Sequence, residues 1–330
     1  MRTRRHLIKT LATLGVAAMA PGLAGTAQAQ AFPNRPIRII TPFPPGSGPD
    51  AALRVVGERL SKAWAQPVVI ENKPGGSGFI AVSAFKQGAG DDHTLIQLDN
   101  THTTTHPHTF AKLPYEVEKD FVPLAMMLRT WFFVAVGAAS PYKTVDDIVE
   151  AARNRPNQVK YGSWFVGSPG HIGALRLQAL RSVQMLHVPY RDFGQLYAAV
   201  ANQEVDWALG SIASAGGLER AGKLRFIALA GPAMDPQYPA VPATAEQSQL
   251  KGFEMSGWAG LFAAAGTSAA MRDRLAADIA ESLTSPEASE RYKQMGFEAP
   301  RYSPGEFSQL IQRETIAWGG IIRSANLRLD

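Results

Sequence analysis

Two loops rich in glycine and proline each follow an apolar run and precede a helical period, an arrangement that suits anion binding. The first loop is residues 44–50, after the apolar run 37–43, and the second loop is residues 73–78, after the run 68–72. At such a junction the backbone N–H groups and the positive end of the helix point toward one place. The sequence therefore predicts one small anion held by backbone rather than by basic side chains.

A third loop, residues 163–171, again joins a predicted strand to a predicted helix. Ser168 stands before Pro169, which is the pattern of a helix N-cap followed by proline at the first helical position. Amides here and near Gly46 could hold one carboxylate from two sides. Trp164 and Phe165 either stack on an aromatic acid and close one end of a cleft, or pack on the domain surface.

Polar side chains at other strand ends add specificity to the predicted site. Asp99 and Asn100 follow the third apolar run, and Tyr190 ends a later one. Asp99 either favours a ligand with an amino or hydroxyl group and disfavours a plain dianion, or caps the next helix. Asp50 is expected to complete the first loop as a cap or first-turn acid, with a structural role.

Metal and enzyme chemistry find little support. His102 and His106 have helical spacing, but Pro107 is expected to keep His106 out of helical geometry, so we predict no metal and no cofactor. Ser163 and Ser168 lie near His171, yet no third residue that would orient the histidine is identifiable. The motifs of hydrolases, zinc proteases and phosphate-binding loops are absent from the sequence. We therefore expect a protein that is not an enzyme.

The elements that position these loops alternate between strands and helices. Such alternation predicts an α/β fold with parallel sheets covered on both faces, and ligands of such sheets bind beyond the carboxyl ends of the strands. After a proline-rich loop at 232–242, one apolar run at 258–265 precedes a block of helices. The predicted strands are residues 37–43, 68–70, 94–98, 131–136, 159–163, 186–190, 207–211 and 226–230.

The chain termini and the charge bear on location and partners. Residues 1–29 have the pattern of an export signal, of either the Sec or the twin-arginine type, followed by a small-residue cleavage site. The chain has 33 Lys and Arg and 28 Asp and Glu; residues 1–29 hold four of the basic and none of the acidic residues. The remainder has a net charge near +1, so nucleic acid is not an expected partner. The chain has no cysteine, which excludes disulfides.

An ordered set of motifs resembles the Bug receptors, which are periplasmic binding proteins of tripartite tricarboxylate transporters. The motifs span nearly the whole chain after residue 29. They are Pro-Phe-Pro-Pro-Gly at 42–46 with Asp50, Val-Ile-Glu-Asn-Lys-Pro-Gly at 69–75, Leu-Pro-Tyr at 113–115, Lys-Asp-Phe at 119–121, Tyr-Gly-Ser at 161–163, His-Val-Pro-Tyr at 187–190, Val-Asp at 205–206, Ala-Gly-Lys-Leu-Arg at 221–225 and Val-Pro-Ala-Thr at 241–244.

The resemblance implies a two-domain Venus-flytrap fold with two crossing strands near Thr130 and Ser256. Residues 30–131 and 253–330 would form the first domain and residues 132–252 an inserted second domain; two consecutive domains that split near Ser140 are the alternative. The protein would be a periplasmic monomer that closes on a small carboxylate and delivers it to membrane permease subunits. A secreted α/β hydrolase and a periplasmic sensor that feeds a histidine kinase are the alternative functions.

The sequence departs from the family pattern at three places: the aromatic pair Trp164 and Phe165, the pair Asp99 and Asn100, and Gly210 with Ser211. We therefore rank aromatic monoacids first, amino or hydroxy acids second and simple dicarboxylic acids third as ligands. The predicted ligand-binding residues are Phe43, Pro44, Gly46, Ser47, Gly75, Ser77, Asp99, Asn100, Trp164, Phe165, Gly167, Ser168, Tyr190 and Ser211.

Overall fold

The computed structural model describes residues 32–88 and 92–330, so the predicted export signal lies outside the described residues. The strands are β1 Ile37–Thr41, β2 Val68–Asn72, β3 Thr94–Asp99, β4 Phe121–Gly137, β5 Lys160–Ser163, β6 Leu186–Pro189, β7 Trp207–Gly210, β8 Leu224–Ala230 and β9 Ser256–Ala264. The helices are α1 Gly48–Trp64, α2 Phe79–Gln87, α3 His106–Thr109, α4 Val117–Asp120, α5 Val145–Asn154, α6 Pro169–Arg181, α7 Phe193–Ala201, α8 Ile212–Arg220, α9 Ala269–Leu283, α10 Pro286–Gln294 and α11 Pro304–Ser324. The predicted alternation of strands and helices is confirmed.

The strands form two groups that share the long strand β4. In the first group the order is β2-β1-β3-β9-β4, and in the second it is β4-β7-β5-β6 with β8 on β4. Strands β1, β2 and β3 run parallel to one another, as do β5, β6 and β7, whereas β4 and β9 are antiparallel to each other. Parallel strands buried by helices on both faces need near-continuous apolar sequence, which these runs supply.

The register on β4 fixes where the strands end. Asp99 at the end of β3 pairs with Ala259 of β9, which pairs with Leu128 of β4. Gly210 at the end of β7 pairs with Phe133 of β4. The carboxyl ends of the parallel strands in both groups therefore point toward the same middle stretch of β4. This geometry brings the loops that follow them toward each other.

The chain passes between the two groups twice. Strand β4 crosses once, and the chain returns at Met255 and Ser256, where the Phe132 amide donates to the Met255 carbonyl and the Met255 amide donates to Ala230. The topology thus has two adjacent crossing segments, although the domain boundaries themselves stay a prediction.

Apolar side chains form separate cores in the two groups. The second group buries Trp207, Tyr161 and Tyr197 under α6, α7 and α8, whereas the first buries two clusters on opposite faces of its sheet. Trp318 and Ile322 of α11 belong to the core of the second group, although Phe307 of the same helix packs on the first. Across the described ranges, no helix combines the length and the hydropathy that a bilayer crossing requires.

Candidate ligand-binding site

The first loop is held in shape by Asp50. Gly46 adopts a left-handed backbone with φ +81°, and its amide donates to Asp50 Oδ2 at 2.8 Å. Asp50 is 1% exposed and also accepts hydrogen bonds from Arg54 and Asn72. Burial raises the pKa of the Asp50 carboxyl, but these donors outweigh burial and hold the pKa below its usual value. Asp50 therefore has the structural role that the sequence predicts.

Ser47 is the N-cap residue of α1, but its side chain makes no cap hydrogen bond. Its Oγ is buried and has no partner among the described residues. Pro44 is exposed, whereas Phe43 is half-buried with its ring edge-on to the ring of His102. Because a buried hydroxyl without a partner costs free energy, Ser47 Oγ is available for a ligand atom.

The second loop is a run of left-handed residues. Gly75, Gly76, Ser77 and Gly78 have φ values of +100°, +54°, +52° and +81°. Glycine adopts this conformation freely, whereas Ser77 does so at a cost that is usual at functional sites. A Cβ at Gly78 would lie 2.1 Å from His102 Nε2, so only glycine fits against that ring.

The segment after β3 is a π-helix, Thr101–Thr105, which continues into α3. Asp99 Oδ1 accepts hydrogen bonds from His102 N at 3.0 Å and from His102 Nδ1 at 2.5 Å. Burial raises the pKa of the Asp99 carboxyl, but the charge and the two N–H groups of His102 outweigh burial and lower it. Asp99 thus caps the following helix, which is one of its two predicted roles. Asn100 donates to the Ser256 carbonyl at the chain crossing.

The prediction that Pro107 excludes His106 from helical geometry is wrong. His106 has φ −56° and ψ −37°, and its ring lies 5.2 Å from that of His102. The π-helical turn absorbs the local clash before proline, and His106 Nδ1 lies 3.1 Å from the Tyr115 hydroxyl. The described residues nevertheless contain no group of three acidic or histidine side chains that could hold a metal ion.

The third loop is built around two stacked histidines. Ser168 caps α6 by accepting from the His171 amide, as predicted, and the Gly167 amide donates to His171 Nδ1 at 3.0 Å. His187 stacks on His171 at 3.8 Å and lies 2.7 Å from Ser163 Oγ. Burial lowers the pKa of His171 to about 3 and that of His187 to about 4, so both rings are neutral near pH 7.

The two aromatic residues of the third loop have different surroundings. Trp164 is 8% exposed and packs between Phe132 and Phe193 in the core of the second group. Phe165 is 45% exposed. Trp164 therefore offers little surface on which an aromatic ligand could stack, which removes one argument for ranking aromatic acids first.

Contacts between distant segments bring many of the predicted residues together. His102 joins Phe43 of the first loop, Gly78 of the second loop and Asp99. A Cβ at Gly167 would lie 3.9 Å from Thr105, so the third loop lies beside the π-helix. Ser211 caps α8, and the next residue, Ile212, packs against Gly296. Phe297, which follows Gly296, packs against Gly48 of α1. These contacts connect the start of α8 to the start of α1.

Other predicted residues stay apart from this cluster. Trp164 packs inside the second group, and Tyr190 packs beside Gly162 of β5. The sequence analysis does not include His102 and Thr101 among its candidate residues; Thr101 is buried, and its Oγ1 has no partner among the described residues. Asp99 and His102 are three residues apart, a spacing that makes two side chains neighbours on a helix, so the sequence could have indicated their contact.

Comparison with known proteins identifies the family. The model of the tripartite tricarboxylate transporter family receptor, TctC, matches residues 52–327. The protein BugT of Bordetella pertussis is 26% identical over 98% of this chain and 99% of its own length. The structure of R. palustris Rpa4515 with adipate has a TM-score of 0.79 at 25% identity and covers 90% of this chain and 99% of that one. The structure of MatC from Rhodopseudomonas palustris with bound malate has a TM-score of 0.76 at 28% identity and covers 88% and 100%.

These matches confirm the resemblance to the Bug receptors and the periplasmic-binding-protein fold that it implied. Receptors of this family bind solutes for transport and are not enzymes. The family match extends over most of the chain and includes the second and third loops, whereas the first loop, residues 44–50, precedes the matched range. The chain belongs to the TctC, or Bug, family of solute-binding receptors of tripartite tricarboxylate transporters.

Proposed function

We propose that this protein is a periplasmic receptor that captures a small carboxylate between the two groups of loops and delivers it to the membrane subunits of a tripartite transporter. The observation that carries the proposal is the convergence of loops at the middle of β4, with two buried hydroxyls, Ser47 Oγ and Thr101 Oγ1, that lack partners among the described residues. Both hydroxyls follow neighbouring parallel strands, β1 and β3.

Backbone and hydroxyl donors suffice for a useful affinity. A micromolar dissociation constant corresponds to about 8 kcal/mol. A hydrogen bond to a charged group contributes about 1.5–3 kcal/mol, so several donors around one carboxylate reach this value after the cost of closure. The family supports delivery to permease subunits, because its receptors serve such transporters.

For the ligand we favour an aliphatic dicarboxylate over the aromatic acids that the sequence ranked first. Trp164 is packed in a core, so it gives no reason to prefer an aromatic ligand. The Asp99 carboxylate is hydrogen-bonded to His102, so it does not oppose a ligand with two negative charges in the way that the sequence suggested. Two relatives of known structure hold adipate and malate. Aromatic, amino and hydroxy acids are tested beside the dicarboxylates.

Thermal shift and calorimetric titration with adipate, malate, benzoate, glutamate and dimethyl adipate test the proposal. We expect adipate or malate to raise the melting temperature and the diester to have no effect. Binding at a hundred times Kd stabilises the native state by about 2.7 kcal/mol. A protein freed of retained ligand that responds to none of these acids contradicts the proposal.

Matched serine variants separate binding from folding. Ser47→Ala should weaken binding about tenfold or more, because a donor to the carboxylate is lost, with little change in stability. The control Ser285→Ala removes the hydroxyl that caps α10 through the Ala288 amide, far from the cleft loops. It should lower stability by about 1 kcal/mol and leave affinity unchanged.

A further inference from the structure

His102 lies where three of the cleft segments meet. Its ring is edge-on to Phe43 of the first loop, abuts Gly78 of the second loop and belongs to the π-helix that follows β3. Single π-helical turns are rare and are frequent at functional sites. The ring therefore occupies the position from which one side chain can reach a ligand held by both loops.

The two nitrogens of the His102 ring have different surroundings. Nδ1 donates to Asp99 Oδ1, which fixes both the orientation of the ring and the nitrogen that carries this proton. Nε2 lies beside Gly78 and has no hydrogen-bond partner in the described part of the chain. Only Nε2 is left for a ligand.

One charged side chain, Asp99, lies against the His102 ring, whereas the neighbouring His106 is neutral. Asp99 supplies a carboxylate at hydrogen-bond distance, which stabilises an imidazolium. Burial and the neighbouring His102 lower the pKa of His106 to about 3, so His106 stays neutral. Tyr115 donates to the backbone carbonyl of His102, and its hydroxyl lies 3.1 Å from His106 Nδ1.

We propose that His102 is the cationic, specificity-determining residue of the cleft, and that its Nε2–H donates to a ligand carboxylate seated at the second loop. This inference rests on the proposed function and deepens it. Asp99 then acts through His102 as a positioning residue: its charge orients and stabilises the cation that attracts a second carboxylate, rather than repelling a dianion. On this proposal Asp99 favours dicarboxylate ligands, whereas the sequence analysis expected it to disfavour them.

Calorimetric titration of adipate and malate into wild type, His102→Gln, Asp99→Asn and the control His108→Gln tests the proposal between about pH 6 and pH 8, a range that lies above the pKa values of the ligand carboxyls. We expect His102→Gln to bind both acids about 10- to 100-fold more weakly than wild type at about pH 6, where both ligand carboxyls are largely ionised, and this difference to shrink toward pH 8. Asp99→Asn should also weaken binding, because the imidazolium loses its counter-charge.

The control lies on the next helical turn and contacts a different partner. His108 Nε2 donates to the Thr315 carbonyl, away from both loops, so His108→Gln should keep the wild-type affinity and pH profile. If His102→Gln binds these acids as tightly as wild type with the same pH profile, the role of His102 is overturned while the receptor function stands. If wild type binds no acid at all, the proposed function itself fails.

A measurement on the unaltered protein covers the case in which His102→Gln fails to fold. In protein labelled with ¹⁵N on histidine, saturating adipate or malate should shift the Nε2 resonance of His102 and leave that of His108 in place. An unchanged His102 Nε2 resonance in a protein that calorimetry shows to be saturated with ligand overturns the proposal.

Discussion

Two carboxylates, Asp50 in the first turn of α1 and Asp99 at the end of β3, are both engaged by donors of the protein itself. Asp50 accepts from Gly46 and Arg54, and Asp99 accepts twice from His102. Each carboxylate shapes the loop beside it, and one hydroxyl in each segment, Ser47 Oγ and Thr101 Oγ1, has no partner among the described residues. At the scale of single residues, the proposed cleft therefore presents neither of these carboxylates to an anion as a bare negative charge.

Gly46 provides the first prediction at this scale. Its φ of +81° is unfavourable for any side chain, although a Cβ would have open space around it. Gly46→Ala should therefore destabilise the protein by about 1–2 kcal/mol through backbone strain and should also weaken ligand binding, because the first loop moves. Chemical denaturation and calorimetry on the same sample measure both effects.

Gly217 is the matched control for this substitution. It also has open space where a Cβ would lie, but it is inside α8. Gly217→Ala should stabilise the helix by about 0.5–1 kcal/mol and leave binding unchanged. Equal behaviour of the two variants would contradict a special role for the Gly46 backbone.

At the scale of elements, hydrophobic periodicity predicted most strands and helices closely. The largest miss is β4, predicted at residues 131–136 and observed at Phe121–Gly137. Pro123 argues against a central strand, yet a β-bulge between Pro123 and Ala125 accommodates it against β9. Pairing with a strand more than 120 residues later in the sequence carries no local signal, so the sequence could not reveal it.

The candidate site shows the same division between local and distant information. The glycine loops were predictable, because strand–glycine–helix junctions are local patterns. The packing of Trp164 and the position of His102 were not, because they depend on contacts with Phe193, Phe43 and Gly78. His106 shows that such contacts also override a local rule about proline.

Glu314 of helix α11 should make the stability of the protein depend on pH. Glu314 accepts from Trp258 Nε1 at 2.9 Å, and burial raises the pKa of its carboxyl to about 7. A raised pKa means that the folded state holds the proton more tightly than the unfolded state, so stability falls as the pH rises from about 4.5 to about 7. Glu314→Gln should remove about 1–3 kcal/mol of this pH dependence.

Urea unfolding of Glu314→Gln at about pH 5 and pH 8 checks this prediction, with exposed Glu281→Gln as the control. The control should keep the wild-type difference between the two pH values. A Glu314→Gln variant that loses as much stability as wild type on raising the pH would show that another group titrates.

At the scale of the whole molecule, two features connect the groups of strands. The first is the pair of crossing segments at Phe132 and Met255. The second is α11, whose Phe307 packs on Trp258 of the first group while Trp318 packs in the core of the second. Closure of the proposed cleft would therefore have to move the strand groups while α11 stays packed on both of them.

Trp318 is the side chain on which this second connection depends. It is 6% exposed, and the Arg176 guanidinium of α6 lies 5.3 Å from the centre of its ring. Arg176 in turn donates to the Glu254 carbonyl beside the returning chain. Trp318→Ala should therefore cost about 3–5 kcal/mol by leaving a cavity, and it should also uncouple the two groups.

Calorimetric melting is the measurement: the variant should unfold in two transitions, where the intact connection gives one cooperative transition. Ile316→Ala is the control, because Ile316 is 76% exposed on the same helix and its loss should change stability by about 0.5 kcal/mol or less. A single, slightly shifted transition for Trp318→Ala, like that of the control, would mean that the crossing segments alone couple the groups. Two transitions with ligand binding retained would instead mark α11 as the element that sets the resting geometry of the cleft.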